Sequence, residues 1–276
     1  MTYRTVKLSG WKVKLSDDFP SGFESVIASS ANLPNGQRAA FERLTSSRFA
    51  RVLKCNVLFN AQVYSLIIKH YFNRDIFDIF KAFIFPSRAE KAFNAGQMLT
   101  QNGFLVPPAV ACGRKFLITL EVKDSVPLYQ LLGKLPAVEK QKMLEQFGQT
   151  VGQMHDKGIF HGDLRLGNVL VKSASCHFER SEAKSRNLLN NNSKDNFDFY
   201  FLDNERSRKF NRLPMRLRIK NLVQINMHRG DVDENDRKVF FDAYISQQPQ
   251  IDAKTLAEKV ISKTAKRLAA KGVINH

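Results

Sequence analysis

Cysteine, tryptophan and acidic side chains are scarce in this chain of 276 residues, which holds 3 Cys, 1 Trp and 26 Asp+Glu. Cys55, Cys112 and Cys176 stand far apart and are odd in number. They form no disulfide framework and no metal-spaced set, which points to a reducing compartment. His70, His155 and His228 are equally scattered, so zinc is not indicated. No stretch approaches the ~20 apolar residues that span a bilayer. The richest run, residues 76–85, is interrupted by Asp78 and Lys81 and stopped by Pro86. Residues 1–7 lack the apolar core of a signal peptide. Together these absences predict a cytoplasmic protein that can lie on a membrane without crossing it.

What is abundant is positive charge. Against the 26 acids stand 43 Lys+Arg, a formal net charge of +17. Such an excess favours an anionic partner, whether nucleic acid, an acidic membrane surface or a phosphorylated substrate, and does not choose among them. The remaining composition, 43% hydrophobic and 25% charged, is that of an ordinary globular protein. The length allows one bilobal unit or two domains.

The first third reads as strands. Residues 5–15 alternate around Gly10, and residues 50–59 and 63–71 form a hairpin with Asn60 and Ala61 at its turn. A helix opens at Pro86 and Ser87 and ends near Gly103; residues 104–111 and 115–122 are strand-like. Beyond them the chain is mostly helical. Residues 128–132 are a short helix, and residues 137–157 a long one whose Met143, Phe147, Val151 and Met154 line one face. Gly158 closes it. Residues 169–171 and 197–202 pair as a hairpin, and helices occupy residues 234–247 and 252–270. Residues 173–196 are hydrophilic and aperiodic, with three asparagines in a row at 190–192. They read as an insertion at the hairpin tip, resembling a translated palindromic repeat, where extra length costs little entropy. A lid over a substrate is the alternative reading.

The chemistry concentrates in the loop between the long helix and this hairpin, His161-Gly162-Asp163-Leu164-Arg165-Leu166-Gly167-Asn168. Phosphoryl transfer asks a protein for an acid that orients the attacking hydroxyl, oxygen ligands for Mg²⁺ and cations on the phosphates. Asp163 is the candidate base. Asn168 offers a metal ligand through its side-chain oxygen, and Arg165 a cation for the moving phosphoryl group. Ordinary turn chemistry also favours Asp and Asn, but the flanking helix and hairpin weigh against it. Asp203, at the end of the second hairpin strand, is the second candidate Mg²⁺ ligand. Removing residues 173–196 would return it beside Asn168.

Lys69 ends an apolar, β-branched run, from which a strand lysine reaches nucleotide phosphates. Glu90 is its natural ion-pair partner. Ser87-Arg88-Ala89-Glu90 is equally a capping-box pattern, in which the acid turns back to the Ser87 amide. No Gly-x-Gly-x-x-Gly precedes Lys69, which argues against an ordinary protein kinase; Thr45, Ser46 and Ser47 are the residues left to cover phosphates. Glu121 and Val122, closing the last strand segment of this region, complete the nucleotide-binding candidates. His161 is expected to organise the loop.

These motifs together, with the segments 220–224 and 236–244, resemble the lipopolysaccharide kinase family, which includes the Kdo and heptose kinases of the protein-kinase-like superfamily. The resemblance spans about residues 69–244. It implies an α+β, protein-kinase-like bilobal fold: an N-lobe of antiparallel sheet plus one helix over residues 1–120, and a mostly helical C-lobe over 121–276. It implies ATP- and Mg²⁺-dependent phosphorylation of a sugar hydroxyl on an acidic, lipid-linked saccharide at the inner face of the inner membrane. Arg206, Arg208, Lys209 and Arg212, in a stretch (205–220) with seven basic residues, would then border the acceptor pocket. Asn204 departs from the apolar residue usual after the metal-binding acid, putting a flip-type activation switch in doubt. The competing readings are an aminoglycoside-type phosphotransferase or atypical protein kinase, and a nucleic-acid module on a degenerate kinase fold, against which the intact Lys–Asp–Asn–Asp set argues. The last helix, with Leu256, Val260, Ile261 and Leu268 opposed to lysines, is expected to pack on the C-lobe rather than lie on a bilayer. The apolar positions 76, 77, 80, 83 and 84 read as core ahead of a membrane wedge.

Overall fold

The computed structural model describes residues 2–8, 11–31, 41–44, 50–72, 85–173, 196–270 and 272. Ser46 and Ser47, the apolar run 76–84, Cys176 and all but the ends of the 173–196 segment lie outside the described residues. The chain divides into two compact units, residues 1–101 with 106–122 and 204–206, and residues 102–105 with 123–203 and 207–276.

The first unit is built on a seven-stranded antiparallel sheet in the order β1-β2-β6-β7-β5-β4-β3. Its strands are β1 (Tyr3–Leu8), β2 (Trp11–Ser16), β3 (Phe41–Arg43), β4 (Ala50–Phe59), β5 (Gln62–Tyr71), β6 (Ala109–Cys112) and β7 (Phe116–Leu120). The two longest, β4 and β5, form the expected hairpin, with Phe59 opposite Gln62. Its turn residues both take positive φ, Asn60 at 49° and Ala61 at 60°, the twist a two-residue hairpin requires. Residues 104–108 are not a strand: Pro107 and Pro108 lack the N–H a ladder needs, and β6 begins only at Ala109. Helix α1 (Phe23–Ala31), which the strand-like reading of this region overlooked, covers one face with Phe23 and Ile27. On that face Leu15, Leu66, Ile68 and Ile118 are fully buried. Helix α2 (Arg88–Gln101) packs Ala89, Ala92 and Phe93 against Ala50, Tyr71 and Cys112. Burial pushes the Cys112 thiol up to about 12 and raises that of Cys55, so neither is a reactive thiolate.

The second unit contains α3 (Leu128–Leu132), α4 (Ala137–Asp156), α5 (Met215–Asn226), α6 (Glu234–Ser246) and α7 (Ala253–Ala269). A three-stranded sheet runs in the order β11-β10-β8, from β8 (Ser125–Pro127), β10 (Val169–Ser173) and β11 (Phe197–Phe201). Two short strands, β9 (Ile159–Phe160) and β12 (Arg208–Lys209), pair antiparallel. The stripe read along α4 is its buried face: Met143, Phe147, Val151 and Met154 have no exposure. Phe147 meets Phe199 of β11 and Phe240 of α6 at ring distances of 5.2 and 5.5 Å. Helix α7 buries Leu256, Val260, Thr264 and Leu268, and Asn226 of α5 donates to the Thr264 hydroxyl at 3.2 Å. Three of the four apolar residues read along it are thereby used in packing, while Ile261 is exposed. No helix among the described residues is long and apolar enough to cross a membrane.

Two glycines set the close approaches that position the polar loop. Gly158 follows α4 at φ +73°, and a Cβ there would stand 2.0 Å from the Phe210 carbonyl oxygen. Any side chain would therefore push β9 and the loop after it away from β12. Gly148 lets α4 touch α6: a Cβ would lie 2.3 Å from the Phe240 carbonyl oxygen and 3.0 Å from the Ala243 Cβ. Gly148→Ala must force these helices apart and is expected to cost about 1–3 kcal/mol of stability. Urea denaturation of wild type and variant measures it, with a lower midpoint at an unchanged slope as the expected result.

Candidate functional site

The loop that follows Gly158 is held from beneath by amide side chains of α5. Asn221 clasps the His161 backbone, its Oδ1 accepting from the amide at 3.2 Å and its Nδ2 donating to the carbonyl at 2.6 Å. Gln224, one turn on, accepts from the Leu164 amide through Oε1 at 3.2 Å and from Asn221 Nδ2 at 2.9 Å. Its Nε2 donates to Asp163 Oδ1 at 3.2 Å. Arg165 Nε donates to the same oxygen at 2.9 Å. One carboxylate oxygen of Asp163 is thus fixed by two donors, and Oδ2 is the oxygen to which no bond is recorded among the described residues. His161 is fully buried, accepts from the Asp163 amide through Nδ1 at 3.2 Å and packs on the Phe201 ring. It organises the loop.

The network continues into the core. His155, in the last turn of α4, lies 3.1 Å from Asn221 Oδ1 through Nε2 and 3.0 Å from the Tyr244 hydroxyl through Nδ1. Arg218 Nη1 donates to that hydroxyl at 2.6 Å. One neutral tautomer satisfies every partner: His155 Nε2–H donates to Asn221 while Nδ1 accepts from Tyr244. Burial, then the charge of Arg218, depresses the His155 pKa to about 3, and burial raises that of Tyr244 to about 12. Each group is neutral at physiological pH. Sequence reading placed Asn221, Gln224 and Tyr244 in matching segments without roles. A helix carrying Arg218, Asn221 and Gln224 at 3-residue spacing on a buried face is the signal that finds them.

Asn168 Nδ2 donates to the Asp163 carbonyl at 2.9 Å, so the opposite end of that amide, Oδ1, is turned away from the loop backbone. The β10–β11 register sets Val169 opposite Phe201, and the Leu202 amide donates to the Asn168 carbonyl at 2.8 Å. Asp203, the next residue, adopts a left-handed φ of 56°, a conformation Asp tolerates and functional loops exploit. An amide oxygen and a carboxylate are hard donors suited to Mg²⁺ when substrate phosphates complete the shell. Among the described residues no cluster of three His, Cys, Asp or Glu exists that would hold a metal alone.

In the first unit Lys69 lies on β5, and its Nζ is 3.7 Å from Glu205 Oε2. This differs from the expected pairing with Glu90. Glu90 instead accepts from the Ser87 amide at 2.7 Å while Ser87 Oγ accepts from the Glu90 amide at 3.2 Å, the reciprocal capping box. Being the third helical residue of α2, Glu90 satisfies a helix-end amide that would otherwise stay unpaired. The Glu121 carboxylate is taken by Lys54 Nζ and Ser65 Oγ, both at 2.6 Å. The Glu121 side chain is therefore committed within the first unit.

Of the basic stretch, Arg206 in the first unit and Arg208, Lys209 and Arg212 in the second are exposed, as are Arg216 and Lys220. Arg218 is buried on Tyr244, so six of the seven basic residues in this stretch are exposed. Lys209 also donates to Asn102 Oδ1 at 2.7 Å. Backbone pairing of Arg208 with Phe160 sets β12 beside the residue that immediately precedes the loop carrying Asp163.

Comparison with known proteins adds kinship to this geometry. Residues 61–244 match the model of the lipopolysaccharide kinase (Kdo/WaaP) family. A KEOPS complex subunit Bud32 from Pyrococcus abyssi (strain GE5 / Orsay) is 32% identical over 65 residues, 24% of this chain, and the match spans 30% of that protein's length. Among solved structures, WaaP in complex with acyl carrier protein is similar with a TM-score of 0.57 at 19% identity, over 82% of this chain and 88% of that one. An ADP-bound aminoglycoside phosphotransferase, APH(2'')-Ib, reaches 0.50 at 10% identity, over 88% and 86%. These likenesses show a kinase-like α+β fold.

The buried neutral histidine has a consequence for stability. His155 is ordinarily protonated near 6.5 and when folded only near 3, so unfolding takes up a proton between those values. Its contribution is whole above pH 6.5 and is lost as the pH falls toward 3. Between pH 6 and 5 the wild type should lose roughly 1.4 kcal/mol per pH unit more than His155→Asn. Urea midpoints across that window check it; equal slopes would mean that His155 is not held neutral.

Proposed function

We infer the activity from kinship and site together: the chain belongs to the lipopolysaccharide kinase (Kdo/WaaP) family, and it transfers the γ-phosphoryl group of ATP to a sugar hydroxyl of an anionic, lipid-linked saccharide. The observation that carries this is Asp163, with Oδ1 tied by Gln224 and Arg165 and Oδ2 left to meet an acceptor. A fixed carboxylate with one committed oxygen is pre-organised to orient a hydroxyl and take its proton. As the acceptor oxygen bonds to the γ-phosphorus, the bond from that phosphorus to the ADP oxygen breaks and the hydroxyl proton passes to Asp163.

The other roles follow from charge and donor type. Asn168 Oδ1 and the Asp203 carboxylate would hold Mg²⁺, which supplies charge neutralisation on the phosphate oxygens when bound. Lys69 takes nucleotide phosphates. Arg165 keeps its terminal nitrogens for the transferring group while Nε rests on Asp163. The exposed Arg208, Lys209 and Arg212 suit an acceptor bearing carboxylates or phosphates, and Arg206 carries the same charge. A lipid-linked acceptor brings the protein to a membrane surface, and its basic side favours an anionic one.

Acceptor profiling tests this reading. Mg²⁺-ATP turnover is measured with a Kdo- or heptose-containing lipid, with an aminoglycoside and with a protein substrate. The expected result is turnover dependent on the acidic glycolipid, and a fall of about tenfold or more in kcat/KM, through KM, when Arg208 and Lys209 are both replaced by Ala. Phosphate appearing on the aminoglycoside or on protein instead would overturn the saccharide assignment.

A further inference from the structure

Among the described residues, the acid that pairs with Lys69 does not come from helix α2. Glu205 sits in a single 3₁₀ turn, Asn204–Arg206, two residues after Asp203, and this turn packs on α2 within the first unit. Its side chain is largely buried, at 13% exposure, between two cations. Arg88 Nη2, on the first residue of α2, donates to Oε1 at 2.5 Å. Among the described residues Oε2 is buried without a hydrogen-bond partner, and it stands 3.7 Å from Lys69 Nζ. The Arg88 guanidinium and Lys69 Nζ also lie 5.0 and 5.2 Å from the centre of the Tyr71 ring. Within this cluster one carboxylate is shared by two cations.

The two oxygens have different situations. A short charge-assisted bond to Arg88 fixes one and so sets the direction of the other. The second oxygen, desolvated and beyond hydrogen-bond distance of Lys69, gains from a slight approach of the ammonium. Glu90 is engaged at its own helix end.

We propose that Glu205 is the positioning residue of Lys69, anchored by Arg88, so that the segment carrying Asp203 also sets the nucleotide-binding lysine. Metal-binding and phosphate-binding groups are then coupled through one short stretch of chain, and α2 contributes an arginine anchor where a helix acid was expected. The inference rests on the reading of Lys69 as a phosphate ligand.

A double-mutant cycle on Mg²⁺-ATP binding, measured by calorimetry on the full chain, tests it. Lys69→Met and Glu205→Gln are each expected to weaken binding by about tenfold. Glu90→Gln, which retains a capping-box residue, should stay within about twofold. In the Lys69→Met background Glu205→Gln should add less than about twofold, because its effect passes through the lysine. A full loss there would make Glu205 a prop of the fold and overturn the proposal while leaving Lys69 its role. No effect of Glu205→Gln alongside a loss in Lys69→Met would overturn it equally. An unaffected Lys69→Met would overturn the phosphate-ligand reading and the proposal with it. Should Glu205→Gln not fold, Glu205→Asp, which keeps the charge but withdraws the carboxylate, takes its place in the same cycle with the same expectation.

Discussion

Two amide side chains on one turn of α5 carry the candidate site. Asn221 and Gln224 between them bind the backbone at His161 and Leu164 and the carboxylate of Asp163. Buried amides are costly unless satisfied, and here each has several partners, so the loop has little freedom to shift without stranding a polar group. His155, Tyr244 and Arg218 extend the same constraint into α4 and α6. The place of one surface carboxylate is thus settled by the packing of three helices. Gly148 and Gly158 matter for the same reason: they permit the approaches that bring α4, α6 and the β9–β12 pair into range.

A second constraint is the β10–β11 hairpin. Its register brings Leu202 onto Asn168, and with it the carboxylate that follows, irrespective of the long segment between the strands. The same economy of chain continues into the first unit. The 3₁₀ turn after Asp203 supplies Glu205, the acid nearest Lys69 among the described residues. A short run of chain, Leu202 to Arg206, therefore carries the proposed metal ligand Asp203, the partner of Lys69 and an exposed arginine in succession.

Much of this was legible in residue order. The 3.6-residue period of α4, the hairpin of β4 and β5 and the turn residues Asn60 and Ala61 are local signals, and the structure follows them. The Asp163–Asn168 loop stood out because acid and amide fall between a helix and a hairpin. What eluded sequence reading depends on distant partners. Glu90 satisfied two patterns at once, and the helix end claimed it. Glu205 and Arg88 are 117 positions apart, a separation at which no periodicity reports contact. Arg218 looked like one more surface cation in a basic stretch and is instead buried beneath a tyrosine hydroxyl. Helix α5 itself was hidden because its inner face carries Arg, Asn and Gln among the apolar residues.

The most direct measurement is phosphoryl transfer by Asp163→Asn, an isosteric change that keeps an oxygen for the Gln224 and Arg165 donors and removes the proposed base. Transfer to an acidic glycolipid should fall about 10²–10⁴-fold while Mg²⁺-ATP affinity stays within about twofold. Transfer at the wild-type rate in the variant would contradict the role given to Asp163 and, with it, the purpose assigned to the amide network beneath.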